Sequence, residues 1–182
     1  TAYMVRDTSS SHEFFILNIT NPASPTLIGS TNLADTGKEV VVLGNYAYVG
    51  TYSDSRELEV VNISNPASPS VVGFFNASGS SDSQSIDGVG TTIVLGRNSG
   101  NVNIINVSNP LFPVQVGYYG VGGDVEDVDI YQGPTSTYAF LATDWSSAEF
   151  QLLDITTPAS PTLIGSLNIA NQLNGIAYHE GK

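Results

Sequence analysis

The chain is a succession of short apolar runs separated by clusters of Gly, Asn, Pro and Ser. Almost no stretch shows helical periodicity, and the apolar residues either alternate with polar ones or form short blocks, which is typical of β-strands. The second quarter of the chain shows the pattern most fully. Its predicted strands are Glu39–Leu43, Tyr46–Tyr52, Leu58–Ile63 and Ser70–Phe75. The sequence therefore predicts an all-β protein of short antiparallel strands.

One proline-containing segment returns four times. It reads Asn-Pro-Ala-Ser-Pro at 21–25 and 65–69, Asn-Pro-Leu-Phe-Pro at 109–113, and Thr-Pro-Ala-Ser-Pro at 157–161, with spacings of 44, 44 and 48 residues. Its two prolines lack backbone donors and restrict the residues before them, so the segment is predicted to be a loop. An apolar run precedes each copy, and a second apolar run ending in Gly follows it. Such a period is the signature of a repeat architecture.

The second, third and fourth repeats each predict four consecutive strands, which is the unit of a β-propeller blade. Gly44-Asn45 is a two-residue hairpin turn, because both residue types accept a positive φ at low cost. A single blade cannot bury both of its faces, so it must stack on neighbours. We therefore predict a β-propeller made of four-stranded antiparallel blades, with four repeat units of about 44 residues in this chain.

The chain is predicted to be a single propeller domain, or a segment of a propeller, made of four repeat units. The predicted units are 1–36, 37–81, 82–122 and 123–170, followed by residues 171–182. The first unit lacks its innermost strand, and Leu173–Tyr178 in the last segment reads as an innermost strand that could complete it. Three arrangements stay open: a closed ring of four blades, part of a larger propeller of about six to eight blades, or half of a ring completed by a second copy.

Two segments carry a resemblance to a known family. The hairpin Gly44–Val49 and the strand-and-loop segment Leu58–Pro66 resemble the LVIVD-repeat family, and the resemblance extends over all four units. The third and fourth units depart from the aromatic hairpin, at Gly90–Val94 and Tyr138–Leu141. The resemblance implies a β-propeller of secreted or cell-surface bacterial and archaeal proteins, without a defined catalytic motif.

The net charge of the chain limits the classes of partner that it is expected to bind. Five basic residues stand against 17 acidic ones, a net charge of −12, so nucleic acid and anionic membrane surfaces are poor partners. No apolar stretch approaches the length of a membrane span, which argues against direct membrane insertion. The chain contains no Cys, which excludes disulfides and thiolate metal sites. It opens inside a predicted strand, so we expect an export signal upstream and an extracellular or cell-surface location.

The densest charge follows a Gly-rich segment and offers a candidate metal site. Asp124, Glu126 and Asp127 supply the oxygen ligands that Ca²⁺ prefers. Strand alternation separates them, because Asp127 and Asp129 share one face and Glu126 lies on the other. The alternative is a solvated loop that leads into an acidic strand lining the channel. We expect no cofactor, with Ca²⁺ as the alternative.

Candidate ligand-binding residues lie in loops predicted to share one rim of the propeller: Trp145, Asp144, Arg97 and Arg56. An exposed Trp beside acidic residues suits sugar stacking or a contact with a protein. In the alternative, Trp145 folds back over the edge of its blade and the two Arg side chains pair with neighbouring acids.

Catalysis has little support in the sequence. No nucleophile elbow, phosphate-binding loop or dinucleotide motif occurs, and His12 and His179 do not have a zinc-binding spacing. We therefore expect a non-enzymatic binding or display module outside the cell, whose rim loops contact a protein or glycan. The alternative is a structural subunit that assembles into a dimer or filament through edge strands Ala2–Arg6 and Leu173–Tyr178. The third hypothesis is a carbohydrate-active enzyme.

Overall fold

The computed structural model describes residues 1–7 and 11–179, and in these ranges every regular element is a β-strand. The strands are β1 (Ala2–Val5), β2 (Phe14–Asn18), β3 (Thr26–Thr31), β4 (Gly37–Leu43), β5 (Tyr46–Thr51), β6 (Leu58–Asn62), β7 (Ser70–Phe75), β8 (Ser83–Val89), β9 (Thr92–Arg97), β10 (Asn101–Asn106), β11 (Val114–Gly120), β12 (Val125–Gln132), β13 (Thr137–Thr143), β14 (Phe150–Asp154) and β15 (Thr162–Leu167).

The strands form four antiparallel sheets in chain order, which we call blades 1 to 4. Blade 1 has three strands, β1-β2-β3, and the other blades have four each, β4 to β7, β8 to β11 and β12 to β15. Consecutive strands are neighbours in every blade. The first strands of blades 2 to 4 lie against one another, β4 beside β8 and β8 beside β12, so the first strand of each of these blades is innermost and the last is outermost. The predicted all-β architecture is confirmed, including the missing innermost strand of blade 1.

The hydrophobic core lies between the blades. Three buried clusters correspond to the three contacts between successive blades, and each combines residues of two blades. Between blades 1 and 2, for example, Phe14 and Ile16 pack with Ala47, Val49 and Val61, all of which are fully buried. Each blade therefore depends on its neighbours for its core, as in other repeat proteins.

The proline-containing repeat forms a turn that satisfies its own polar groups. The side-chain oxygen of Asn21 accepts a hydrogen bond from the Ala23 N–H at 3.1 Å, and the Ser24 N–H donates to the Asn21 carbonyl at 3.0 Å. Corresponding backbone bonds close the turns that begin at Asn65, Asn109 and Thr157. The proline after the first residue suits the second position of such a turn, since its φ is already set.

A glycine on the outermost strand of one blade receives the proline-containing turn of the next blade. A Cβ atom on Gly29, Gly73 or Gly117 would overlap the carbonyl oxygen of Pro66, Pro110 or Pro158, respectively. The two parts of the repeat motif are thus partners across the contact between blades. The equivalent Gly165 of blade 4 has no atom within 4 Å of such a Cβ.

In blades 1, 2 and 4, a buried glutamate ties the outermost strand to the strand next to it. Glu13, Glu57 and Glu149 occupy the same repeat position, and all three are buried. Their Oε2 atoms accept hydrogen bonds from the backbone N–H groups that follow the outermost strands, at distances of 2.8 or 2.9 Å: Leu33, Ala77 and Ile169. Blade 3 has Asn101 at this position, and there the Val121 N–H donates to the Gly100 carbonyl instead.

Carboxylates on the innermost strands link successive blades near the centre. Glu39 of β4 accepts a hydrogen bond from the Ile86 N–H of β8 at 2.8 Å. Asp87 of β8 accepts one from the Ile130 N–H of β12 at 2.7 Å. These bonds satisfy backbone donors of the innermost strands, near the centre of the four blades.

Leu173–Tyr178, which the sequence predicts as an innermost strand, has no ladder partner in the described part of the chain. The segment is extended beside β12 but lacks a second strand with which to form a ladder. Asp127 and Asp129 of β12 nevertheless accept hydrogen bonds from the N–H groups of Ile176, at 2.7 Å, and Tyr178. These bonds repeat the pattern between earlier innermost strands, so the segment lies where the innermost strand of a following blade belongs.

Burial raises the pKa of Glu39 to about 7 from an ordinary value of 4.5, and the nearby charges of Asp127 and Asp87 act in the same direction. The hydrogen bond from Ile86 opposes the shift but does not cancel it. Burial also raises the pKa of Asp87, and the Asp129 charge adds to that shift. The innermost strands therefore concentrate acidic groups whose charged forms are disfavoured.

Replacing the buried Glu57 by alanine tests the link between strands. Glu57→Ala leaves the Ala77 N–H without its acceptor and removes the carboxylate 3.8 Å from Arg97. We expect a loss of about 3 kcal/mol in the free energy of unfolding, measured by denaturant titration. Asp54→Ala in the exposed neighbouring loop is the control, with an expected change within about 0.5 kcal/mol. Equal effects of the two substitutions would contradict the assignment.

The raised pKa of Glu39 predicts how stability depends on pH. The folded chain holds the Glu39 proton more tightly than the unfolded chain, so this group favours folding at low pH. Its contribution falls as pH rises from 4.5 through 7. We expect Glu39→Gln to flatten the dependence of the melting temperature on pH in that window. Asp154→Asn is the control, because hydrogen bonds with Thr156 lower the pKa of Asp154 and its titration lies below the window. An unchanged slope in Glu39→Gln would refute the prediction.

Candidate functional site

Two sets of loops meet at one end of the blades and form the rim on which the sequence placed the candidate ligand-binding residues. One set connects successive blades, and the other connects the second and third strands within a blade. Backbone hydrogen bonds join the two sets: Tyr52 N–H to Thr36 O, Asn98 N–H to Asp82 O, and Asp144 N–H to Asp124 O, at 3.1 to 3.2 Å. The rim is therefore a bonded layer of loops held on rigid strands.

Trp145 packs on the glycine loop that precedes blade 4, while part of its side chain faces solvent. A Cβ atom on Gly122 would lie 2.7 Å from the indole ring, so this close approach requires glycine. Gly122 also has a φ of +99°, which glycine adopts without strain. Trp145 is 37% exposed. The indole thus rests against the loop that connects blades 3 and 4 and still presents an accessible surface.

The carboxylates of Asp124, Glu126 and Asp144 lie beside this indole as a compact group. Their nearest oxygen atoms are all within 4.8 Å of one another. Asp144 Oδ1 accepts a hydrogen bond from the Asp124 N–H at 2.6 Å, which holds the two loops together. Burial raises the pKa of Asp124, and the charges of Asp144 and Glu126 raise it further. We call Trp145, Asp124, Glu126 and Asp144 the rim patch.

The candidate metal residues do not all meet in this patch. Asp127, which the sequence grouped with Asp124 and Glu126, belongs to the innermost strand and accepts the hydrogen bond from Ile176. A bulge between Val125 and Asp127 interrupts the pairing with β13 at this point. Asp144, and not Asp127, is the third carboxylate of the rim patch. The oxygen set suits Ca²⁺ by donor type, and an exposed acidic group of this kind equally suits a solvated surface.

Arg97 does not lie on the accessible rim. It is only 2% exposed, and its guanidinium group donates hydrogen bonds to the carbonyl oxygens of Ser78 and Ser81. Its Nη2 atom is 3.8 Å from Glu57 Oε1. The expectation of ligand contact therefore needs correction: Arg97 stabilises the loop between blades 2 and 3 from beneath, because a buried guanidinium requires several acceptors.

Arg56 is accessible but lies on blade 2, whereas the rim patch lies on blade 4. It forms an ion pair with Glu59 at 3.3 Å and stacks over the Phe74 ring, with its Cζ atom 4.7 Å from the ring centroid. Pairing with a neighbouring acid was the alternative that the sequence left open for this residue. Trp145 and Asp144 thus share a site, and the two Arg residues are apart from it.

The sequence reading missed an apolar groove between blades 2 and 3. The groove has a volume of about 490 Å³ and is lined by Arg56, Val71, Val72, Gly73, Phe74, Leu111 and Phe112. Phe112 is 71% exposed. The signal was present in the sequence, because Leu111-Phe112 replaces the Ala-Ser pair of the other three proline-containing turns.

Solved structures with the same fold include a protein from Lactobacillus plantarum, with a TM-score of 0.71 and 17% identity over 90% of this chain and 51% of that chain. The Cps50 (Swd1) β-propeller domain of Myceliophteria thermophila matches with a TM-score of 0.63 and 8% identity, over 87% of this chain and 53% of that one. The computationally designed Ika8 protein matches with a TM-score of 0.55 and 8% identity, over 99% of this chain and 66% of that one.

These likenesses show the fold, and the predicted β-propeller architecture is confirmed. The chain spans about half the length of the first and third of these solved proteins. No curated protein matches its sequence.

The repeat itself identifies the family. The LVIVD repeat matches residues 9–33, 36–77 and 122–169, which are parts of the first, second and fourth units. The match does not extend to most of the third unit, although the sequence resemblance was expected over all four units. Most of the chain is covered by the three matched segments, and the chain belongs to the LVIVD-repeat family.

Proposed function

We propose that this chain is an extracellular or cell-surface binding module that contacts its ligand through the rim patch and catalyses no reaction. The observation that carries the proposal is an accessible indole beside three carboxylates on a bonded layer of loops. Binding residues are often held on loops above a rigid scaffold, which the stacked blades provide here. The repeat architecture and the propeller fold support a binding role in general.

A basic protein segment is the ligand that best complements the patch. Lys and Arg side chains stack on an indole by cation–π attraction, and the carboxylates of Asp124, Glu126 and Asp144 would pair with their charges. The net charge of −12 favours the approach of such a partner over long range. A glycan is the second ligand class, because a sugar ring stacks on Trp145 while its hydroxyl groups donate to carboxylates.

A location outside the cell agrees with the composition, which is rich in Ser, Thr and Asn and contains only five basic residues. No helix long and apolar enough to cross a membrane occurs in the described part of the chain. Within the proposal, the module serves adhesion or display: the blades hold the rim patch away from whatever carries the module. The acidic group lies at an open rim with Asp144 exposed, which suits contact with a ligand better than hydrolysis in a closed cleft.

Substitution of Trp145 tests the proposal directly. We expect Trp145→Ala to weaken binding at least about tenfold, because buried aromatic anchors dominate binding energy. Binding is measured by calorimetry against a Lys-rich peptide and, separately, against a panel of glycans. Phe112→Ala is the matched control, since it removes an exposed aromatic residue from a different surface.

Each outcome assigns the ligand class or rejects the site. Peptide binding that is lost in Trp145→Ala and kept in Phe112→Ala supports a basic protein partner, and the same result with a glycan supports the second class. Loss in Phe112→Ala with binding retained in Trp145→Ala would show that the groove between blades 2 and 3 is the binding surface and that the rim patch is not.

The proposal includes no resident cofactor, and Ca²⁺ at the acidic group is the alternative. We expect the melting temperature to be the same with excess Ca²⁺ and with a chelator. A rise with Ca²⁺ that disappears in Asp144→Asn would contradict this expectation and assign a cation to Asp124, Glu126 and Asp144. An Asp127→Asn variant separates the two candidate ligand sets, because Asp127 bonds to Ile176 outside the patch.

A further inference from the structure

The apolar groove between blades 2 and 3 runs along the outer edge of β7, which is the last strand of its sheet. Its lining includes four consecutive residues of that strand, from Val71 to Phe74, and the Leu111-Phe112 pair of the next proline-containing turn. Successive side chains of a strand point to opposite faces of the sheet. Four residues in succession therefore border one groove only where the groove follows the edge of the strand.

The backbone of β7 offers hydrogen-bonding groups along this edge. Within the described part of the chain, β7 pairs with β6 on one side only, from Ser70 to Phe75. Alternate residues of such a strand direct their N–H and C=O groups away from the partner, where another chain can pair with them. Lys and Pro commonly protect an edge of this kind, and residues 70–75 contain neither. The floor of the groove can therefore accept an extended strand.

The walls of the groove depart from the repeat at positions that are far apart in the chain. Leu111-Phe112 occupies the turn position that is Ala-Ser in the other three copies. Phe74 follows the glycine that receives this turn, and the corresponding residue is serine in blades 1 and 4 and tyrosine in blade 3. Phe74, Leu111 and Phe112 are exposed by 47, 49 and 71%. Exposed apolar side chains that are grouped in this way mark a contact surface.

The proline-containing turn of blade 3 holds Leu111-Phe112 directly beside β7. A Cβ atom on Gly73 would overlap the carbonyl oxygen of Pro110 and would lie 3.1 Å from the backbone of Leu111. The Phe112 N–H donates to the Asn109 carbonyl at 3.0 Å, which closes the turn. Both walls belong to blades 2 and 3, each of which packs against a blade on either side. The groove is therefore preformed, and a ligand has little of it to order.

Arg56 gives one wall of the groove a positive charge. Its Cζ atom lies 4.7 Å from the centroid of the Phe74 ring, and its Nη1 atom donates to Glu59 at 3.3 Å. Glu59 thus accepts one of the five N–H donors of the guanidinium group, and the Arg56 side chain is 44% exposed. The other residues that line the groove are uncharged. A carboxylate of a ligand would pair with Arg56, since carboxylate and guanidinium form two parallel hydrogen bonds.

We propose that the groove between blades 2 and 3 binds an extended segment of a partner protein, which adds a strand to the edge of β7. Alternate apolar side chains of the segment pack against Leu111 and Phe112, and one Asp or Glu pairs with Arg56. In strand addition, backbone hydrogen bonds give affinity and the contacts of alternate side chains give specificity. One carboxylate is expected and not an acidic tract, because the net charge of −12 repels a strongly acidic partner. This ligand differs in charge from the basic segment proposed for the rim patch.

A different protein suits the groove better than a second copy of this chain does. The β7 strands of two copies could pair edge to edge, but residues 70–75 read Ser-Val-Val-Gly-Phe-Phe and supply no acid to Arg56. A proline-rich segment would also suit an aromatic groove. Such a segment forms no strand ladder, so it would leave the edge of β7 unpaired. An extended segment with one carboxylate uses the edge, the apolar wall and the charge together.

The first test selects peptides from a displayed library of random octapeptides. The wild-type chain is the target, and peptides that also bind the double variant Leu111→Ala, Phe112→Ser are removed. This variant has the Ala-Ser pair of the other three turns, so we expect its fold to be retained. The selected peptides should share apolar residues at alternating positions and one Asp or Glu. Recovery of no peptide that distinguishes the two proteins, or of a proline-rich or Lys-rich consensus, would overturn the proposal.

Calorimetry with a selected peptide assigns its contacts. We expect the double variant to bind at least about tenfold more weakly, because aromatic anchors dominate binding energy. Arg56→Gln should weaken binding up to about fivefold, and only for the peptide that keeps its carboxylate. When that Asp or Glu is changed to the amide, the wild type and Arg56→Gln should bind equally. Trp145→Ala is the control and should bind as the wild type does, whereas a loss of binding in Trp145→Ala would move the peptide to the rim patch and overturn the proposal.

Methylation of the peptide backbone tests strand addition itself. Two versions of the peptide are N-methylated at every second residue, in complementary sets, so that each version blocks one edge of the strand. We expect one version to bind at least about tenfold more weakly and the other to bind like the unmodified peptide, because a strand pairs with β7 through one edge only. Equal binding of the two versions would contradict the addition of a strand.

The mass in solution decides between a different protein and a second copy. Light scattering is applied to the wild-type chain and to the double variant over the same range of concentrations. The same mass for both proteins supports a partner of different sequence. A wild-type dimer that becomes a monomer in the double variant would show that a second copy occupies the groove, and it would overturn the proposal.

Discussion

The structure depends on one constraint: a β-blade with two apolar faces is stable only when other surfaces cover both. Each hydrophobic cluster combines two successive blades, so the core belongs to the contacts between repeats and not to the repeats themselves. The same constraint explains the sequence motif. The glycine of one outermost strand and the Asn-Pro turn of the next blade fit together because a Cβ would fill the space that the proline carbonyl occupies.

Carboxylates satisfy backbone N–H groups within the blades and between them. Glu13, Glu57 and Glu149 accept hydrogen bonds from backbone N–H groups within their blades. Glu39 and Asp87 accept them from the innermost strand of the next blade, and Asp127 accepts one from Ile176 in the segment after blade 4. Much of the excess of acidic residues is therefore structural. Burying a carboxylate is costly, which is visible in the raised pKa of Glu39 and of Asp87, and the hydrogen bonds offset part of that cost.

This division of the acidic residues leaves the rim patch as a distinct feature. Asp124, Glu126 and Asp144 lie beside the accessible indole of Trp145, on loops that are bonded to each other. A ligand would meet charge and an aromatic face on a rigid support, so little ordering of the protein is required on binding.

The sequence by itself determined the repeat, the all-β class and the missing innermost strand of blade 1, because apolar alternation and proline-containing turns act locally. The limits predicted for the four strands of the second unit were accurate to within about two residues, the usual uncertainty of such boundaries. Only the tertiary structure decided which side chains meet. It buried Arg97 under its loop, replaced Asp127 by Asp144 in the acidic group, and left 173–178 without a ladder. Each of these depends on contacts between residues distant in the chain, or on a partner strand, and no local pattern encodes them.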